Sequence, residues 1–268
     1  VTLNESDTPV LRIAQITDTH LYADPAGELL GLNTRQCLQE VVALAATRSP
    51  QLVVATGDLT HDGSKIGYQQ LQRYFTRLQV PVYCLPGNHD EANSLKDSMN
   101  GALCHAISSV LVSGWQLAFV NSAIQGSDVG HLSSQELAKL DAALAQAPEH
   151  PSIVWLHHQP VPVGSRWLDT MAVDNADDFF RIIDRHPQVR AIVWGHVHQC
   201  FEHRHRDIIL LASPSTCIQF LPNSEEFAID LVPPGFRWFD LYGDGHFTTG
   251  VERLAAIPGA IDLTARGY

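Results

Sequence analysis

Five short apolar runs in this 268-residue chain each break off into side chains that bind metals or phosphate. Leu11–Thr17 runs into Asp18-Thr19-His20, and Gln51–Thr56 into Gly57-Asp58. Val80–Cys84 leads through Leu85 into Pro86-Gly87-Asn88-His89-Asp90. Ser152–Leu156 ends in His157-His158, and Arg190–Trp194 in Gly195-His196-Val197-His198. An apolar run of about five residues stopped by Gly or Pro predicts a buried strand, and ligands of open α/β sheets gather beyond strand carboxyl ends. Asp18 and His20, two apart, project to one side if the extended conformation persists.

Helical spacing fills the intervals. Thr34–Arg48 carries Leu38, Val41, Val42, Leu44 and Ala45 on one face before Pro50. Ser64 is placed to cap a helix with the stripe Tyr68, Leu71, Tyr74, Phe75 and Leu78. Ser133 and Glu136 form a capping box ahead of Leu137, Leu140 and Leu144. Phe179, Phe180, Ile182 and Ile183 mark a helix stopped at His186-Pro187. Further strands are predicted at Gln116–Asn121, Ile208–Ala212, Phe236–Leu241 and Phe247–Leu254. The expected class is α/β, with a β-rich C-terminal part from about residue 208. No linker or repeat demands a cut, so residues 1–268 are expected to form one domain.

Charge narrows the function. With a net charge of −12 and a pI near 5.5, the chain lacks the basic surface that nucleic-acid binding needs. A small anionic substrate then requires metal cations as local help. Val1–Arg12 lacks the pattern of a signal peptide, and no apolar run approaches a membrane span, so a cytoplasmic protein without membrane contact is expected. Cys37, Cys84, Cys104, Cys200 and Cys217 are odd in number and never spaced Cys-x-x-Cys, which argues for reduced core residues over disulfides or a thiolate zinc site.

Seven candidate metal ligands, Asp18, His20, Asp58, Asn88, His157, His196 and His198, are too many for one ion. Two ions sharing a carboxylate would use them all, the arrangement that activates water for in-line phosphoryl displacement. Oxygen and nitrogen donors without a thiolate suit Mn, Fe, Zn or, less well, Mg.

Asp-x-His, Gly-Asp, Gly-Asn-His-Asp, His and Gly-His-x-His, in this order from Asp18 to His198, resemble the signature of the calcineurin-like metallophosphoesterases. Ala14–Leu21, Trp194–Gln199, Pro214–Phe220 and the stretch from Pro234-Gly235-Phe236-Arg237 to Gly267-Tyr268 are similar to the bacterial class III 3′,5′-cyclic AMP phosphodiesterases of that superfamily. The resemblance implies two packed mixed β-sheets flanked by α-helices. It implies one metal on Asp18, His20, Asp58 and His198, a second on Asp58, Asn88, His157 and His196, with Asp58 bridging, and Fe or Mn as the metals of choice. His89 is implied as a non-ligand near the scissile phosphate, stabilising the transition state or protonating the leaving 3′-oxygen, with Asp90 orienting it and Asn88 catalytic beside it. His20, Asn88, His89 and His196 would face the phosphate. The implied reaction is hydrolysis of cyclic AMP to 5′-AMP, with a hydroxide bridging the ions as nucleophile, lowering the level of the messenger; a homodimer is an open expectation.

Other phosphodiesters (a glycerophosphodiester or a 2′,3′-cyclic nucleotide), nucleic-acid ends and phosphomonoesters remain alternative substrates, because the motifs specify a reaction centre and not a pocket. A non-catalytic scaffold on this fold would be expected to lose ligands, and this chain keeps them. His61 departs from the pattern, standing where many relatives carry a carboxylate or small polar residue, with consequences expected for hydrogen bonding around the metals. His203 and His205, in Glu-His-Arg-His-Arg-Asp, read as a solvated turn, and His158 as a residue beside the site. Arg166, with Trp167 in a Pro/Gly-bearing loop, and Phe220 are the candidates for contact with the base.

Overall fold

The strands at the heart of the protein are apolar on both faces, and each has a packing partner on both. The structure, a computed structural model, describes residues 8–267; Tyr268 and residues 1–7, which include most of the N-terminal stretch read for a signal peptide, lie outside the described residues. In chain order the elements are β1 (Leu11–Ile16), β2 (Glu28–Leu29), β3 (Leu32–Asn33), α1 (Thr34–Thr47), β4 (Leu52–Thr56), α2 (Lys65–Phe75), β5 (Val82–Leu85), α3 (Ala92–Ser98), β6 (Cys104–His105), β7 (Ser109–Val112) and β8 (Trp115–Phe119). They continue with α4 (Ser134–Gln146), β9 (Ser152–Trp155), α5 (Arg166–Asp169), α6 (Ala176–Ile183), β10 (Val189–Trp194), β11 (Phe201–His205), β12 (Ile208–Ala212), β13 (Gln219–Phe220), β14 (Ile229–Asp230), β15 (Gly235–Leu241) and β16 (Phe247–Arg253).

Two six-stranded mixed sheets result, ordered β16-β15-β1-β4-β5-β6 and β11-β12-β10-β9-β8-β7. In the first, β1, β4, β5 and β6 are parallel, and β15 and β16 join antiparallel. In the second, β8, β9, β10 and β12 are parallel, with antiparallel β7 and β11 at the edges. Alternate residues of each strand serve different layers. Leu11, Ile13, Leu52, Val54, Trp155, Val193 and Phe239 meet between the sheets. Ala14, Ile16, Val53 and Ala55 pack outward on α1 and α2, while Val154, Ile192 and Trp194 pack outward on α4 and α6. The expected architecture of two packed mixed sheets flanked by helices is observed.

Several local expectations hold and several are corrected. Ser64 caps α2, its Oγ accepting from Gly67 N at 3.1 Å, and Ser133 caps α4 through Glu136 N. The reciprocal half of that capping box is absent: the Glu136 carboxylate accepts from Asn121 N, tying α4 to the end of β8. His203 and His205 lie on edge strand β11, not in a turn, because apolar β12 supplies a full antiparallel partner across the Arg206-Asp207 turn. Charged side chains on such an edge block further strand pairing. Of the five free cysteines, Cys200 is exposed rather than in the core. From residue 208 onward the described chain contains strands and no helix, and among the described residues no helix is long and apolar enough to cross a membrane.

Candidate dimetal centre

Parallel pairing of β1 with β4, of β4 with β5, and of β9 with β10 places all five predicted strand ends on one side of the two-sheet core. Sheet one contributes Asp18, His20, Asp58 and Asn88, and sheet two His157, His196 and His198. The extended conformation does not persist past Ile16. Asp18, His20, Asp58, His196 and His198 instead take left-handed φ values of 53, 43, 48, 63 and 48°. For a residue with a Cβ this conformation costs on the order of 1–3 kcal/mol and persists only where surrounding contacts enforce it. Those contacts are present. Asp18 N donates to Gly57 O at 3.0 Å, His20 N to Asp58 O at 2.9 Å, and His196 N to the Asp18 carboxylate at 3.0 Å, across the sheets. Beyond the turns the chains re-pair at Leu21 and Thr60.

The donors converge in two overlapping groups. His198 Nε2 lies 3.4 Å from Asp18 Oδ1 and 3.2 Å from His20 Nε2. Asp58 Oδ2 lies 3.3 Å from His157 Nε2 and 3.8 Å from His20 Nε2, with no hydrogen-bond alignment to either. His157 Nε2 is 3.1 Å from Asn88 Oδ1. Both nitrogens of buried His196 lack a hydrogen-bond partner. His157 Nδ1 meets Thr56 O and His198 Nδ1 meets Ile218 O, each at 2.8 Å. A carbonyl requires Nδ1 to carry a proton, so each ring turns its Nε2 inward, where a lone pair is available to a cation once that nitrogen is deprotonated. Asp18 and Asp58 are buried among imidazoles, Asp18 accepting from His196 N and Asp58 Oδ1 from His89 N, and the Asp58 Oδ2 left without a hydrogen-bond partner fits two cations sharing Asp58. A centre of two metal ions is thus supported by the Asp/His cluster.

Burial raises the Asp58 carboxyl, but the adjacent His157 and His89 pull it well below the carboxylate range. Burial lowers His157, and Asp58 more than reverses this, leaving it pushed up to about 9. His20 and His196 are held well below the ordinary imidazole value by burial and by neighbouring imidazoles. Such opposed shifts among buried neighbours are typical of functional sites.

The supporting residues follow. His89 N donates to Asp58 Oδ1 at 2.9 Å; its ring stacks on His61 at 4.6 Å and meets His20 edge-on at 5.0 Å. Asp90 does not orient that ring. Its carboxylate accepts from Gly87 N, Leu59 N, Thr60 N and the Tyr68 hydroxyl, pinning the Asp58 turn to the Asn88 turn. Burial and the nearby Asp58 push Asp90 up to about 6. His61 Nδ1 lies 3.3 Å from His20 Nδ1. His158 is buried with Nδ1 on Ser122 Oγ at 2.8 Å and its ring 4.6 Å from His196.

The two proposed base contacts are placed elsewhere. Arg166 is 80 % exposed and pairs with Glu225 at 3.5 Å. Phe220 is buried and stacked on His198 at 4.4 Å, bracing that imidazole. A cavity of about 250 Å³ instead adjoins Asn88, His89 and His196, its other walls including Asp128, Trp167, Met171, Phe227 and Arg266. Trp167 carried a sequence signal, an aromatic in a Pro/Gly-bearing loop after His157; Phe227 and Arg266, brought in by the returning chain, carried none.

The family model for calcineurin-like phosphoesterase matches residues 11–200. The chain is 37% identical to the 3′,5′-cyclic adenosine monophosphate phosphodiesterase CpdA of Pseudomonas aeruginosa, covering 98% of this chain and 97% of that one. It is 38% identical to the CpdA of Escherichia coli K12, covering 96% and 95%, and 38% identical to a 3′,5′-cyclic-nucleotide phosphodiesterase of Nostoc, covering 91% and 92%. Among solved structures, a dimetal phosphatase from Danio rerio superposes with a TM-score of 0.70 at 15% identity, over 91% of this chain and 96% of that one. With the signature residues gathered at the strand ends, the chain belongs to the calcineurin-like phosphoesterase family.

Proposed function

We propose that this protein is a cytoplasmic phosphodiesterase that hydrolyses 3′,5′-cyclic AMP to 5′-AMP with two bound metal ions, Fe or Mn in preference to Zn or Mg, and that the chain acts as one domain because the site draws on both sheets. The observation that carries this is the convergence of all seven signature ligands from Asp18 to His198 in a chain similar over nearly its whole length to cyclic AMP phosphodiesterases. The free state of all five cysteines accords with a reducing compartment.

One ion would be held by Asp18, His20, Asp58 and His198, the other by Asp58, Asn88, His157 and His196. When bound, the pair supplies an activated water and positive charge against the phosphoryl oxygens. The chain's own residues do the rest. Thr56 O and Ile218 O hold the tautomers of His157 and His198. Asn88 and His196 line the phosphate end of the cavity, so the phosphate is set between the ligands and the His89 ring. His89 delivers the proton that the leaving 3′-oxygen needs when its bond to phosphorus breaks.

Replacing Asp58 with Ala is expected to abolish activity and metal binding together. His89→Ala is expected to keep both metals and lose roughly 10²- to 10⁴-fold in kcat, the range of general acid catalysis. Metal analysis beside turnover separates the two; a His89→Ala protein without metals, or with full activity, contradicts the assigned role.

A further inference from the structure

We infer that Trp167, with Phe227 beside it, forms the platform on which the base of the cyclic nucleotide stacks; this rests on the activity proposed above. The reacting phosphate has one place, at Asn88, His89 and His196. A 3′,5′-cyclic phosphate is fused to its ribose, so the base is carried rigidly away from phosphorus by about the width of the sugar. The cavity that begins at those three residues continues to Trp167, Met171 and Phe227. Bases stack on aromatic side chains irrespective of charge, which suits a chain of net charge −12.

The wall is held by its own packing. Trp167 stands edge-to-face on Phe220 at 5.0 Å and on Phe227 at 5.2 Å, and Phe220 is itself stacked on His198. The position of the indole is therefore referred to a metal ligand through one ring. Its short helix is fixed at both ends: Asp169 accepts from Val163 N at 2.7 Å and Gly164 N at 3.1 Å, and Arg166 N donates to Ser224 O at 3.1 Å. Gln159 Nε2 donates to Leu168 O at 2.7 Å, linking that helix to the turn after His157. A platform held this way loses little side-chain freedom on binding, which favours affinity.

The test compares cyclic AMP with the same cyclic ribose 3′,5′-phosphate lacking a base. Wild type, Trp167→Ala, Trp167→Phe and Phe227→Ala are assayed for KM, kcat and metal content. Trp167→Ala is expected to raise KM for cyclic AMP roughly tenfold or more, with KM for the baseless substrate and the metal content little changed. Trp167→Phe restores most of the loss, and Phe227→Ala, which removes the neighbouring ring, shows the same base-dependent effect. Equal losses on both substrates, or an unchanged KM for cyclic AMP, overturn the platform while leaving the activity standing. A wild-type protein that cleaves other diesters and not cyclic AMP overturns the activity, and the platform with it.

Discussion

His20 turns its Nε2 toward Asp58 and His198 and leaves Nδ1 facing His61, 3.3 Å away. One of two neutral rings must donate there. Burial, reinforced by His89, pushes His61 down to about 4, so at neutral pH the ring is neutral and its Nδ1 can accept from His20 and hold the tautomer of that candidate ligand. Partners of this kind are worth about 10–100-fold in metal affinity. His61→Ala is therefore expected to weaken metal binding by roughly that factor while His61→Asn, which keeps an acceptor, restores much of it; equal affinity in all three proteins would show the contact to be incidental. His157 provides the pH dependence. Metal and proton compete for its Nε2, and without metal its pKa is pushed up to about 9. Metal affinity is expected to rise with pH toward about 9, with a proton released on binding at pH 7, measurable by titration calorimetry in buffers of different ionisation enthalpy. For the folded metal-free chain the sign is opposite: tighter proton binding than in the unfolded chain, ordinarily 6.5, gives stability that is complete below that pH and lost as pH rises through about 9. No proton release, or affinity flat over this range, would contradict the ion pair with Asp58.

At the scale of elements, the site is a set of turns at strand ends, and their backbones are as constrained as their side chains. A Cβ at Gly87 would overlap Asp58 Oδ1 and the Asp58 peptide nitrogen, and would stand 2.7 Å from His157 Nε2. Gly87→Ala is expected to lose metal binding and about 1–3 kcal/mol of stability, the usual cost of overpacking. Denaturant unfolding and metal analysis check both, and a variant holding two metals normally would show that the turns give way. The same turns explain what was legible beforehand. β1, β4, β5, β9 and β10 are covered on both faces, so they read as continuous apolar runs, and the candidate ligands follow them directly in the chain. β11 escaped because its charged residues lie on an edge, and β2, β3 and β7 because two to four residues carry too little pattern. The left-handed turn at Asp18 and His20 escaped because neighbouring strands impose it, and Phe227 was not legible because it arrives from a distant returning segment.

Across the whole molecule, the seven candidate ligands come from both sheets, and cross-sheet bonds such as His196 N to Asp18 join them at the site. Two cations at this seam would offset buried carboxylates in an otherwise acidic chain and admit an anionic substrate that the net charge of −12 would repel. The most direct measurement is turnover of cyclic AMP by metal-stripped protein refilled separately with Mn, Fe or Zn, beside a generic aryl phosphodiester, with products identified by chromatography. The account predicts no activity without metal and, on refilling, conversion of cyclic AMP to 5′-AMP at physiological substrate concentrations. Vigorous cleavage of the aryl diester with negligible turnover of cyclic AMP would contradict the assigned substrate, and undiminished activity in the stripped protein would contradict the metal centre itself.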